Sequence, residues 1–133
     1  MGWVRARDAI KLAPLASGLY RLGMYRKWGQ IEVIYIGVTS TGGSIRETLT
    51  KLFLGLEGDP NLMLYVSPLW TKGNLFVDWT VRLYPKTDIN DVIRLQVKST
   101  RRVPLFNQRS SEKDPVLPYV ARECNMHNPQ LFH

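Results

Sequence analysis

Two runs rich in aromatic and β-branched residues, Gly18 to Tyr25 and Ile31 to Val38, stand five residues apart and constrain the chain more than anything else in it. Each has the length of one strand. The polar stretch Arg26 to Gln30 between them contains Gly29, so the two runs read as the arms of a β-hairpin. If the hairpin is centred near Trp28, Tyr20 lies almost opposite Tyr35.

After the hairpin the pattern turns helical. Thr39 to Gly43 is a small-residue turn, and Ser44 with Glu47 three residues on is a capping-box signature. Ile45, Leu49, Leu52, Phe53 and Leu56 then form one apolar stripe, which predicts a helix over about 45–56, ended near Gly58 and Pro60. Leu62 to Val66 fits either a strand or one apolar turn before Pro68. Asn74 to Tyr84 reads as a strand stopped by Pro85, after which Thr87 or Asp88 can cap a second helix to about Thr100. Residues 1–17 read as a lead-in packed on the domain edge, and 110–133, with three prolines, as a tail wrapping the domain. The expected fold is one α+β domain over 1–133: a small antiparallel sheet of about three strands flanked by helices, with too few β-α-β alternations for a doubly wound sheet.

Composition narrows the partners. At 133 residues, 44% hydrophobic and 22% charged, the chain suffices for one core. No apolar stretch approaches the roughly 20 residues of a membrane-spanning helix, and the N-terminal residues lack a signal-peptide apolar region. Cys124 is the only cysteine, which fits a reducing compartment, so a cytoplasmic location is expected. Eighteen Lys and Arg against eleven Asp and Glu give +7, a balance that favours phosphate-bearing partners and salt-sensitive binding.

The motifs sharpen this. Gly18-Leu19-Tyr20 is followed, after fourteen intervening residues, by Tyr35-Ile36-Gly37, then by the capped helix, and much later by Pro104-Leu105-Phe106-Asn107. In motif order and in β-β-α-β-α element order, about residues 14–109 resemble the GIY-YIG endonuclease family. The resemblance implies hydrolysis of phosphodiester bonds with one divalent metal, Mg²⁺ or Mn²⁺. It implies tyrosines that help deprotonate the attacking water, an arginine on the first helix that steadies the phosphate, a metal-holding glutamate on a later helix and a supporting asparagine. Tyr20, Tyr35 and Asn107 match those positions. The roles are chemically coherent: a phenol relays a proton, a cation stabilises charge developing on phosphate, and a metal lowers the pKa of bound water. On packing grounds alone, the tyrosines are cross-strand aromatic partners and Asn107 a turn residue.

Two positions depart from the pattern. The family pattern selects Thr48 for the arginine. Arg46 stands about 200° away around the helix, whereas Lys51 lies one turn beyond Thr48 on the same flank, so Arg46 and Lys51 are both candidates. Arg46 has the advantage of the first helical turn, where a phosphate approaching the helix N-terminus would meet it. The glutamate position falls on Gln96, which keeps the shape and loses the charge that hard cations favour, so catalysis is expected to be impaired or absent. Asp91, the nearest acidic residue on that helix, lies on a different face. Ile89, Val92, Ile93 and Thr100 share the face of Gln96, which predicts an inward-pointing amide.

Lys98, Arg101, Arg102 and Arg109 gather around the end of the second helix, near Asn107, and read as a backbone-binding patch. Cys124 and His127 are too few for a zinc site. Trp28, Trp70 and Trp79 read as packing before base stacking. The expectation is therefore a GIY-YIG-like, metal-dependent DNA endonuclease binding duplex DNA, with a protein partner possible for target choice. The alternative is a catalytically inactive nucleic-acid-binding or protein-interaction module on the same fold.

Overall fold

A strand buried on both faces must be covered from two sides, and the strand that opens the hairpin meets that condition along most of its length. The computed structural model, which describes residues 2–26, 29–40 and 42–107, shows β2 (Gly18–Tyr25) with six of its eight residues buried. β3 (Ile31–Val38) and β4 (Leu75–Val81) flank it, both antiparallel to it, and β1 (Val4–Arg5) pairs with the outside of β4. The order is β1-β4-β2-β3. The α+β antiparallel fold is as expected, with one strand more than the expected three. The extra strand comes from the lead-in, where Val4 faces Val77 and Arg5 faces Phe76; two residues are too few to show a period.

The hairpin forms, with its register shifted from expectation. Tyr20 faces Gly37, and Leu22 faces Tyr35, with a bulge between Leu22 and Gly23. Tyr35 is therefore the diagonal neighbour of Tyr20 on the same sheet face.

The helices are α1 (Ala6–Leu12), α2 (Ile45–Phe53), α3 (Pro60–Val66) and α4 (Pro85–Thr100). α2 begins where its capping residues predict, the Ser44 hydroxyl accepting from the Glu47 backbone N–H at 3.1 Å. It ends earlier than the apolar stripe suggests, leaving Leu56 exposed. The ambiguous stretch is helical, because the Asp59 carboxylate caps Leu62 N–H at 3.0 Å and Pro60 opens the first turn. α4 starts at Pro85, ahead of the expected caps: Thr87 and Asp88 lie inside its first turn, and no side chain caps it. β4 ends at Val81, short of the expected Tyr84, so Pro85 opens α4 with a preset helical φ and does not itself stop the strand.

Alternation on the strands sorts the rest into two faces. Tyr20, Leu22 and Met24 with Val77 and Trp79 join α1, α2 and α3 in the main core. The opposite face carries Leu19 and Arg21 of β2, which pair with Thr80 and Asp78 of β4. There α4 packs on β3 and β2, with Ile93 and Val97 buried. The outer edge of β3 is closed by the segment after α4: Phe106 N–H donates to Ile34 O at 2.9 Å.

Candidate functional site

The glycines of the two short motifs have packing causes. A Cβ on Gly37 would collide with the Tyr20 phenol and the edge of the Tyr35 ring, and one on Gly18 would run into the Thr80 carbonyl oxygen. Gly37 thus lets the Tyr20 side chain lie flat on the neighbouring strand. The two rings meet at 6.0 Å between centroids, tilted by 48°.

Burial decides what Tyr20 can do. It is 5% exposed, and its pKa is pushed well above the ordinary tyrosine value, first by burial, then by the neighbouring Tyr35, including the hydrogen bond between the two phenols. Burial and the bond to Tyr35 thus hold the Tyr20 phenol in its protonated form more firmly than an exposed phenol. Around the pair is a cavity of about 180 Å³ whose wall includes Thr48, Lys51, Glu47 and Glu57. The Lys51 ammonium bonds Glu47 at 3.0 Å and Glu57 at 3.4 Å, and these two carboxylates raise its pKa, Glu47 the more. With Asp59 also in the wall, this mouth holds three carboxylates against one ammonium.

Of the two candidate cations, Lys51 is therefore the one beside the tyrosines. Arg46 is turned away from them: its Nε donates to the Ala13 carbonyl at 2.7 Å, tying the start of α2 to the end of α1. Asn107 is buried at the β3 edge, where its Oδ1 accepts from Ile36 N–H at 2.8 Å and its Nδ2 donates to Ile36 O at 2.9 Å. Next to the Phe106 bond to Ile34, it adds a second rung of sheet-like bonding to the outer edge of β3.

Gln96 does not join this group. Tyr20 and Arg21 are consecutive on β2 and point to opposite faces, and Gln96 Oε1 accepts from Arg21 Nη1 at 3.1 Å on the α4 side. Arg21 is further fixed by a two-point ion pair with Asp78, its Nε donating to Oδ1 at 2.8 Å and its Nη2 to Oδ2, and Trp3 lies 4.8 Å from its guanidinium. A divalent metal fits poorly at Gln96, because its oxygen is a neutral ligand that lies beside the positive charge of the Arg21 guanidinium. Among the described residues, no group of three or more His, Cys, Asp and Glu is arranged to hold a metal ion. Asp91 is exposed and pairs with Arg94 at 3.5 Å.

At the C-terminal end of α4, Lys98, Arg101 and Arg102 are exposed and make no ion pair with a described residue. Arg101 takes the left-handed conformation (φ 61°, ψ 24°) and its N–H closes the helix on Val97 O at 2.7 Å. Arg109, Cys124, His127 and Trp28 lie outside the described residues. Trp70 stacks on Phe53 at 5.9 Å and Trp79 is buried, so both are packing residues. Sequence reasoning passed over the Arg21–Asp78 pair, although its signal is present: each is the one charged residue in an otherwise apolar strand, and the charges are opposite.

No family model matches the chain, and no curated protein or solved structure matches it.

Proposed function

We propose that this chain is a nucleic-acid-binding domain of GIY-YIG-like build that holds the phosphate backbone without hydrolysing it. The observation that carries the reading is the position of Gln96. The side chain that the resemblance would put on the metal sits across the sheet from Tyr20 and Tyr35, and its oxygen accepts from Arg21. Binding is supported by charge. Residues 108–133 hold three basic and three acidic side chains, so the whole +7 belongs to residues 1–107. The exposed Lys98, Arg101 and Arg102 concentrate part of it at one helix end. The tyrosine cavity is a poor phosphate site by the same criterion, since its carboxylates outnumber Lys51.

One observation favours the hydrolase reading: Tyr20, Tyr35 and Lys51 share a cavity. Two measurements separate the readings. Fluorescence anisotropy with labelled duplex DNA across a salt series should give an affinity that falls with salt, at a log-log slope of roughly −0.9 per phosphate contacted. Plasmid incubated with Mg²⁺ or Mn²⁺ should remain supercoiled. Absence of binding at low ionic strength removes nucleic acid from the reading, whereas metal-dependent nicking lost in Tyr20→Phe restores the endonuclease.

A further inference from the structure

We infer that the groove between α4 and the β2–β4 half of the sheet receives an unpaired nucleobase from a strand whose backbone is held by Lys98, Arg101 and Arg102; the inference rests on the binding reading above. α4 buries Ile93 and Val97 and makes its larger contact with β3, which leaves the neighbouring half of that sheet face open. The result is a groove of about 390 Å³, within the roughly 300–1,000 Å³ usual for small-molecule sites. Val92, Leu95, Gln96 and Ser99 line it from the helix, spaced as one stripe. Leu19, Arg21, Asp78, Trp79 and Thr80 line it from the strands, and Arg82 from just after β4.

Chemistry selects the occupant. Arg21 and Asp78 neutralise each other in a two-point ion pair, and the third charged residue of the lining, Arg82, stands 4.0 Å from Asp88, so the paired groups themselves offer a phosphate no net attraction. It presents apolar walls in Leu19, Val92 and Leu95 and a set of donors and acceptors in Gln96, Ser99, Thr80 and the edge of the ion pair. A flat heterocycle with a hydrogen-bonding rim fits that combination, and enzymes and binding modules that take bases out of a stack use it. Rigidity is already supplied, since Arg21 is bonded to Asp78 and to Gln96 and lies against Trp3 before any ligand arrives. Position adds a further reason. Ser99 follows Lys98 directly and precedes Arg101 by two residues, so a strand gripped there passes the mouth of the groove.

The test compares anisotropy titrations of three labelled probes: a blunt duplex, the same duplex with a single-stranded overhang, and one whose overhang is abasic, with the overhang made in DNA and in RNA. The normal overhang should bind about tenfold more tightly than the blunt duplex, and the abasic one should bind like the blunt duplex. Ser99→Leu and, separately, Thr80→Leu narrow the groove from opposite walls at exposed positions. Each should erase the preference for the overhang while leaving blunt-duplex affinity and melting temperature unchanged. A preference for only the deoxy or only the ribo overhang supports the site and identifies its source. Equal binding of blunt and overhang probes, a preference that persists in the abasic probe, or one that survives both substitutions overturns the base groove while the backbone patch stands. Failure of every probe to bind at low salt overturns both.

Discussion

At the scale of the residue, the most consequential group is the Tyr20 phenol, whose burial separates two roles that the sequence leaves joined. Because its pKa is raised in the folded state, the native protein keeps that proton at a pH where the unfolded chain has begun to lose it. Its contribution to stability is thus complete below the ordinary tyrosine pKa near 10 and is lost as pH rises beyond it. Melting curves from neutral to strongly alkaline pH should show a steeper fall for the parent above pH about 10 than for Tyr20→Phe. At neutral pH that variant should lose about 1 kcal/mol with its bond to Tyr35. Equal alkaline slopes would mean that the phenol is solvated. Arg101 poses the complementary case, since a left-handed non-glycine residue costs roughly 1 kcal/mol that glycine avoids. Arg101→Gly should raise stability by about 0.5–1 kcal/mol, or a few degrees in Tm, and reduce the salt slope of DNA binding by roughly 0.9. Strain held at a helix end whose side chain is proposed to bind is the kind of local conflict found at functional sites. A variant that is no more stable and keeps the full salt slope would separate Arg101 from both roles.

At the scale of the element, legibility followed the strength of local signals. The hairpin arms, α2 and β4 were readable because each carries its signal within its own residues: aromatic and β-branched enrichment around Tyr20 and Tyr35, Ser44 with Glu47, and the apolar run through Phe76, Val77, Trp79 and Val81. β1 was not, because a two-residue strand is specified by its partner Phe76–Val77 and not by its own sequence. The diagonal register of the tyrosines was hidden by a bulge, which no pattern of hydrophobicity announces. Asn107 was readable by motif and as a turn residue, its N–H donating to Pro104 O at 3.0 Å, but what its amide does at the sheet edge was not. Its amide is a backbone mimic that finishes an edge strand, and that identity appears only once β3 is known to be outermost. Asn107→Ala should therefore cost about 2–3 kcal/mol by leaving Ile36 N–H and C=O unpaired. Hydrogen exchange should show the Ile36 amide losing protection more than the amides of β2, and the opened edge should make the variant prone to association. Uniform loss of protection over the whole sheet would instead mark Asn107 as a general core residue.

At the scale of the whole molecule, the proposal that this chain binds without cutting rests on the sheet, a wall one residue thick with different chemistry on each side. The tyrosine pair, Lys51 and its carboxylates stand on the side of α1–α3, whereas Gln96, Arg21 and Asp78 stand on the side of α4. Restoring the carboxylate at position 96 is therefore a test of architecture. Gln96→Glu keeps the shape and adds one charge next to a guanidinium already paired with Asp78, so the new group should share Arg21 and stay ionised. It should not recruit a metal, since the neighbouring cation opposes one and the tyrosines lie beyond the strand. The expected result is a protein whose Tm moves by a few degrees at most, by the same amount with and without Mg²⁺ or Mn²⁺, and which leaves plasmid uncut. The alternative result is as informative: a ligand that binds only the folded state raises its stability. A metal-dependent rise in Tm together with nicking by Gln96→Glu would mean that α4 presents position 96 to the tyrosines after all, and the endonuclease reading would replace the one proposed.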